Sequence, residues 1–395
     1  MIKLNLTDDK TREIFVFKPI NLGNYYDEFK DCARQFNSVE GNENLRILKL
    51  NVFVQADTTQ DFKNITMNLS QVVPELFRHS DFPVAYIAQP PADGSKINIE
   101  ISAIKLNPSL YSYQYSSNET GSYYILQINN SLELYGTVSD IGKNSNVFSQ
   151  SNTCLEGMKN ILSANELSLH DIVRQWMYVG RINDLVNYEN TEVDNYQLFN
   201  KSRADYYKAV EWINGYPAAT GIGLNIAGCI IEFIARKQGG ETHIIPLQNP
   251  LQIDAHKYTD KYIPLNSKIN SPKFERGKVV LDDERLDIYI SGTAAIIGED
   301  SVDADIKKQT QITLDNIAKL CSIENLAHHG IDVGKNLPEF SAARVYIKQK
   351  ADFSEAEEIC RNYFGNIPII YVEADICRNE LLVEIEAELS CAAAK

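Results

Sequence analysis

The sequence predicts an α+β fold assembled from tandem copies of one small unit, and three observations carry that reading. A strand–helix–proline–strand–turn–strand pattern occurs three times in the same order. The strands of each copy alternate apolar and polar side chains with period two, as half-buried strands do. The 395 residues are 44% hydrophobic and 23% charged, an ordinary globular composition at a length that suits about two to four domains. A chain this long buries a sizeable core without disulfides or metal.

The first copy reads LRILKLNVFVQADTTQDF, a helical stretch, then FPVAYIAQPPADGSKINIEISAI. The second reads DIVRQWMYVGRINDL, then FNKSRADYYKAVEWINGYPAATGIGL and AGCIIEFIA. The third reads SAARVYIKQKADF, then SEAEEICRNYFGNIPIIYVEADICRNELLVEIEA. Each opens on an alternating strand: Leu50, Val52 and Val54; Trp176 and Tyr178; Val345 and Ile347. An amphipathic helix follows, then a proline (Pro83, Pro217, Pro368) and a last strand with a glutamate (Glu100, Glu232, Glu384). The proline-to-glutamate spacings are 17, 15 and 16 residues, and chance rarely keeps order, residue type and spacing together three times.

The second and third copies share a front half. LELYGTVSDI and LDIYISGTAAII are strands with a Gly-Thr pair, each followed by a helix, over 150–164 and 305–320. In the latter, Ile312, Leu314, Ile317 and Leu320 lie near one face. The first copy lacks the Gly-Thr strand and reads as truncated or diverged. A complete unit is therefore β-β-α-β-α-β-β, an α+β sandwich with helices on one sheet face. The units are expected at 1–128 (diverged), 129–240 and 285–395. The stretch 241–284, rich in Pro, Asn and Lys, reads as a linker with an irregular arm.

A net charge of −15 speaks against general nucleic-acid binding and means that an anionic substrate would need a local cluster of arginines. The start, MIKLNLTDDKTREIF, lacks the basic opening and apolar stretch of a signal peptide, and no apolar run reaches the roughly 18–20 residues of a membrane span. Seven scattered cysteines without CxxC spacing suit a reduced, cytoplasmic setting. GxxxxGK[ST] and GxSxG are missing, and the glycines of TGIGLNIAG do not open a helix after a strand. His328 and His329 are adjacent, without metal-ligand spacing, so no metal site is expected.

DIKKQTQITLDNIAKL, ARVYIKQKADF and LLVEIEA resemble the RidA/YjgF (endoribonuclease L-PSP) superfamily, over roughly 45–104, 131–237 and 286–389. Those proteins are trimers of one small, chorismate-mutase-like unit with clefts between subunits. The resemblance implies an intrachain pseudo-trimer, monomeric or dimeric through another face. A narrower set of motifs, YQLFN-KSRA (196–204), YPAATGIG (216–223), SPKFERG (271–277), ISGTAAIIG (290–298) and DICRNELLVEIEA (375–387), is similar to the chorismatases. Those enzymes hydrolyse the enolpyruvyl ether of chorismate to pyruvate plus a dihydroxycyclohexadiene carboxylate or a hydroxybenzoate, with no metal and no organic cofactor.

Enol ethers cleave by protonation of the terminal carbon, so the slow step needs a positioned general acid, kept neutral by desolvation if it is a carboxyl. The resemblance makes Glu384 that acid. Strand alternation puts Glu384 and Glu386 on one face and Val383 and Ile385 on the other, a pattern that a solvated strand face would share; Glu386 is read as structural. Cys377 matches a position that steers product outcome, a cysteine there resembling the hydroxybenzoate-forming branch, although a free cysteine is also a common buried small hydrophobe. Ala295 matches a second position that varies between branches. A dianion calls for arginines, which bind carboxylates bidentately. Arg203 is carried over from the FNxxRA motif, Arg344 opens the strand ARVYI, and Arg378 neighbours Cys377; each could equally be an ion-pair residue. Tyr216 and Thr220 flank PAATG, whose NH groups and hydroxyl could hold a carboxylate or the pyruvyl group.

The chain departs from the chorismatase pattern at Met177, where asparagine is usual, and at Glu299, where histidine is common. A non-catalytic small-molecule-binding or scaffold protein is the alternative, to be told apart by whether the surroundings of Glu384 form an open, arginine-lined cleft. A RidA-type imine deaminase is disfavoured, because Ala85, Ala219 and Ile370 stand where its carboxylate-binding arginine would be.

Overall fold

The computed structural model describes residues 2–3, 5–7, 12–105, 111–118, 121–128, 131–142, 146–237, 242–259, 271–282, 285–335, 337 and 339–394. Three sheets share one arrangement of four strands. In each, an edge strand lies parallel to a central strand, and the last strand runs antiparallel between the central strand and the first. In the first unit these are Val84–Ile87, Leu45–Val54, Ile97–Lys105 and Arg12–Phe17. The second unit uses Ala218–Leu224, Ile172–Gly180, Cys229–Arg236 and Ser131–Asp140. The third uses Ile369–Glu373, Ala342–Ile347, Val383–Ala394 and Arg285–Ala294. A parallel neighbour can be reached only by a crossover, and in every unit that crossover contains a helix. These helices are Thr59–Leu76, Asn195–Tyr207 and Phe353–Phe364; Tyr25–Asn37, Val147–Ala164 and Ile306–Leu320 follow the first strands. The expected pseudo-trimer of three α+β units within one chain is the fold observed.

Local chemistry starts the helices where they start. Asn24, Asn146 and Asp305 each accept a hydrogen bond from the backbone N–H three residues on, at Asp27, Ser149 and Lys308, worth about 1 kcal/mol per cap. The stripe Ile312, Leu314, Ile317 and Leu320 is buried as expected. Leu314, Ile317 and Leu320 pack with Val279, Ile288, Val345 and Ile385 of the third sheet; full burial of such a side chain stabilises by about 1.5–3 kcal/mol.

The structure departs from the sequence reading in five places. The first unit is not truncated: Arg12–Phe17 and Tyr25–Asn37 fill the places of the Gly-Thr strand and its helix. The Gly-Thr pair was the only cue, and the architecture does not require it. The hairpin Tyr111–Ser117/Gly121–Ile128 pairs with Ser131–Asp140 and so extends the second sheet, covering an edge that would otherwise be open. In the expected linker, His243–Leu247 and Gly277–Leu281 extend the third sheet, while 260–270 lie outside the described residues. A short hairpin, Leu185–Tyr188/Thr191–Asp194, is inserted before the second unit's crossover helix.

The fifth departure concerns the repeated glutamate. The units meet through the inner faces of their sheets, and each central strand donates to a glutamate of another unit. Asn51 Nδ2 bonds Glu232 at 2.6 Å, Trp176 Nε1 bonds Glu386 at 2.6 Å, and the Arg344 guanidinium bonds both oxygens of Glu100 at 2.6 and 2.8 Å. Asn51 pairs in register with Glu100, Trp176 with Glu232 and Arg344 with Glu386. Glu386, not Glu384, is therefore the third member of the repeat. Spacing from the proline misled because the edge strand and the connection after it both vary in length: Val84–Ile87 then 88–96, Ala218–Leu224 then 225–228, and Ile369–Glu373 then 374–382. By the same register, the positions equivalent to Glu384 are Asn98 and Ile230, each opposite the matching residue of its central strand (Phe53, Tyr178, Tyr346).

Candidate active site

A cavity of about 350 Å³ opens between the second and third units. Gly292, Ala294 and Glu384 of the third unit's inner strands line one side. Tyr196 and Asn200 of the second unit's crossover helix and Ala219 and Gly221 of its edge strand line the other. Cys377 and Arg378 come from the connection before the last strand, and Tyr258, Phe274 and Arg276 from the arm. Its size suits a small ligand.

Glu384 is 4% exposed, and among the described residues nothing hydrogen-bonds its carboxyl group. Burial, reinforced by the Glu386 carboxyl, pushes its pKa from the usual 4.5 up to about 8, against the pull of Arg174 and Arg276. Its neighbour two residues on has the opposite surroundings. Glu386 accepts from Trp176 Nε1 at 2.6 Å and Thr220 Oγ1 at 2.5 Å, and lies 2.8 Å from Arg174 and 3.5 Å from Arg344. One carboxyl is saturated with donors and the other faces a cavity. Gly292 makes room for the latter, since a Cβ there would collide with a Glu384 oxygen.

The cavity brings together Glu384, Cys377 and Arg378 among the residues singled out from the sequence. Burial, with Glu384 nearby, pushes the Cys377 thiol up to about 12, so the group is a neutral thiol. Arg378 donates to the Glu299 carbonyl and to Ser301 Oγ, both at 2.9 Å.

The others stand elsewhere. Arg344 does not line the cavity: its guanidinium is committed to Glu100 and to Tyr178 Oη at 2.8 Å, because three sheets converge there and a buried carboxylate requires it. Thr220 lies beneath the cavity, donating to Glu386 and accepting from Arg174 and from Gly292 N at 2.8 and 2.9 Å. Ala295 is fully buried and does not line the cavity; its neighbour Ala294, the last residue of the strand Arg285–Ala294, does. Tyr216 packs in an aromatic group with Tyr207, Trp212 and His256, off the cavity. Arg203 is one step removed, donating to Asn200 Oδ1 at 2.6 Å and to Met177 Sδ at 3.1 Å. It is fully buried, burial lowers its pKa, and among the described residues no carboxylate lies within 4 Å of it.

Residues 115–235 match the family model described as the N-terminal part of FkbO/Hyg5-like chorismatases. A 3-hydroxybenzoate synthase of Streptomyces hygroscopicus and a chorismatase of Streptomyces rapamycinicus are each 34% identical to this chain over 228 residues, 56% of this chain and 64% of the relative. The matched part thus falls just short of two thirds of those relatives' length. A crystal structure of a chorismatase superposes with a TM-score of 0.70 at 21% identity, covering 98% of this chain and all of the other. The chain has the chorismatase fold and is a relative of those enzymes.

On the chorismatase fold, the residue that sequence reasoning missed is Arg276. It lies within the quoted motif SPKFERG but in a stretch read as linker. Its Nη2 donates to the Ile253 carbonyl at 2.5 Å and to Tyr258 Oη at 2.6 Å, bonds that hold the guanidinium at the cavity wall. The motif SPKFERG, similar to the chorismatases and lying inside the supposed linker, was the available signal. The two departures from the chorismatase pattern have local explanations. The Met177 sulfur accepts from Arg203, and Glu299 accepts from Thr259 N and Oγ1 at 2.8 and 2.6 Å, tying down the arm that lines the cavity.

Proposed function

We propose that this chain cleaves the enolpyruvyl ether of chorismate, or of a close relative, with Glu384 as the general acid. The observation that carries this reading is a buried carboxyl, neutral up to about pH 8, facing an open cavity with two guanidinium groups on its wall. An open, arginine-lined cleft favours the enzyme over a non-catalytic scaffold.

The Glu384 O–H bond breaks and its proton goes to the methylene carbon of the enolpyruvyl double bond. The positive charge that forms is shared between the ketal carbon and the ether oxygen. Water adds to that carbon and returns a proton to the Glu384 carboxylate. The resulting hemiketal collapses: its hydroxyl loses a proton and becomes the pyruvate carbonyl as the bond between that carbon and the ether oxygen breaks, and the ether oxygen stays on the ring and takes the proton, giving pyruvate and the dihydroxycyclohexadiene carboxylate. A hydroxybenzoate is that diol less one water. Arg276 and Arg378 hold the carboxylates, with Arg203 supplying positive potential through Asn200. Cys377, a neutral thiol against the cavity, shapes which product leaves; the cysteine and the name of the 3-hydroxybenzoate synthase relative favour hydroxybenzoate.

No helix among the described residues is long and apolar enough to cross a membrane. None of the seven cysteines forms a disulfide, which favours a reducing, cytoplasmic setting. The substrate is a small dianion, nucleic acid is no partner of so acidic a chain, and the working form is a monomer or a dimer through an outer face. The test is incubation of pure protein with chorismate and mass spectrometry of the products. Pyruvate with hydroxybenzoate is expected; no pyruvate overturns the assignment.

A further inference from the structure

The arm that lines the cavity touches the third unit on both sides of a short helical turn, Ala255–Lys257. Before the turn, Ile253 N donates to the Gly298 carbonyl and Gly298 N to the Leu251 carbonyl, both at 2.8 Å, and Gln252 Nε2 reaches the Ile296 carbonyl at 3.1 Å. After the turn, Thr259 donates through N and Oγ1 to the Glu299 carboxylate at 2.8 and 2.6 Å. The residue held between these contacts is Tyr258, 8% exposed and on the cavity wall.

Both cavity guanidiniums rest against its ring. Arg276 lies 5.5 Å from the ring centroid and Arg378 5.2 Å, within the range at which a guanidinium is attracted to an aromatic face. The two charges are therefore no further apart than the sum of those distances. Arg276 also lies 5.6 Å from the Phe274 ring, so Tyr258 is the ring that the two share. Hydrogen bonds hold the same frame. Arg276 donates to Tyr258 Oη and to the Ile253 carbonyl, and Arg378 to the Glu299 carbonyl and to Ser301 Oγ. These acceptors are neutral and fix a guanidinium without neutralising it. Glu299 thus holds the arm through its carboxylate and Arg378 through its backbone. Two like charges on one wall repel each other, and the attraction of both to one fixed ring offsets that repulsion.

We propose that Tyr258 is a positioning residue that fixes the separation of the Arg276 and Arg378 guanidiniums, so that one ligand with two carboxylates engages both, and that Glu299 acts through it by pinning Thr259. The inference rests on the reading of this cavity as a dianion site. Its test reads binding and not turnover, so its failure is distinct from a failure to cleave chorismate. Isophthalate, a benzene ring with two carboxylates, is the dianion probe and benzoate its monoanion counterpart, each titrated calorimetrically into the full chain. The wild type should bind isophthalate more tightly than benzoate. Tyr258→Leu should weaken isophthalate roughly tenfold or more and benzoate by no more than about twofold, since one guanidinium suffices for one carboxylate. Tyr258→Phe keeps the ring and should retain most of the wild-type affinity. Glu299→Ala should weaken isophthalate roughly three- to tenfold in the wild type and add nothing in Tyr258→Leu, the non-additivity of residues that act as one device. Circular dichroism melting checks each fold, and Glu299→Ala carries the test by itself if Tyr258→Leu does not fold. Isophthalate affinity unchanged in Tyr258→Leu or Glu299→Ala, an equal loss for both probes, a loss as deep in Tyr258→Phe as in Tyr258→Leu, additive losses, or no preference of the wild type for isophthalate overturns the proposal.

Discussion

Replacing Glu384 by glutamine separates the chemistry of this residue from its cost to the fold. The amide keeps the shape and cannot ionise. A carboxyl whose pKa rises on folding from the usual 4.5 to about 8 binds a proton more tightly in the native state than in the unfolded one. Its contribution is fully favourable below pH 4.5, is lost progressively as pH rises towards 8, and stays constant above that. At about 1.4 kcal/mol per pH unit the full penalty is roughly 5 kcal/mol, of which roughly 3 kcal/mol accrues between pH 6 and 9. Urea unfolding of wild type and Glu384→Gln at those two pH values measures it, because every other titrating group is common to both proteins. The variant should gain about 3 kcal/mol on the wild type between pH 6 and 9. Its rate of pyruvate release should fall by about 10²–10⁴, the worth of a general acid. In the wild type, kcat should fall tenfold per pH unit above about pH 8, where the acid loses its proton. A stability difference independent of pH would refute the buried, proton-holding carboxyl, and full turnover in the variant would refute the mechanism.

The remaining predictions address the residues around that acid. Gly292→Ala places a methyl group against the Glu384 carboxyl; kcat should drop at least about tenfold with little change in melting temperature, measured by pyruvate release and calorimetry. Arg276→Met removes a charged donor to the substrate, worth about 1.5–3 kcal/mol, and should raise KM for chorismate roughly 10–100-fold. Arg344→Met leaves Glu100 buried without its ion-pair partner and should cost about 3–5 kcal/mol in urea unfolding, with Glu100→Gln in the same chain restoring part of it. Cys377→Ala should shift products from hydroxybenzoate towards the dihydroxycyclohexadiene carboxylate while pyruvate release continues, read by mass spectrometry.

The pseudo-trimer explains why only one of the three equivalent positions holds a glutamate that faces a cavity. In a true trimer each substitution appears in every cleft. Here the three copies diverge separately, so Glu384, Ile230 and Asn98 occupy one structural position with three chemistries. Meanwhile the glutamates that join the units, Glu100, Glu232 and Glu386, are retained, and a separate buried cluster of Arg12, Arg236 and Arg285 around Glu133 and Asp287 draws on all three copies. Removing one partner from such a cluster strands a charge in the interior. Contacts between units are thereby constrained in a way that cleft residues are not.

Much of this protein was determined by local sequence alone. Period-two strands, helix caps at Asn146 and Asp305, the helix stripe from Ile312 to Leu320 and the order of elements in the complete units depend on neighbours a few residues apart, and the chain carries those signals openly. The motif around Glu384 and Cys377 pointed to one cleft in the same way. Only the tertiary structure decided what each group became. Glu384 and Glu386 share a strand face and differ by two residues, yet one is saturated by Trp176, Thr220 and Arg174 of another unit and the other is left facing a cavity. Arg344 became a structural cation and Arg276 a wall of the cavity for the same reason. Desolvation and charge pairing are set by atoms far away along the chain, and no local pattern encodes which of them will arrive.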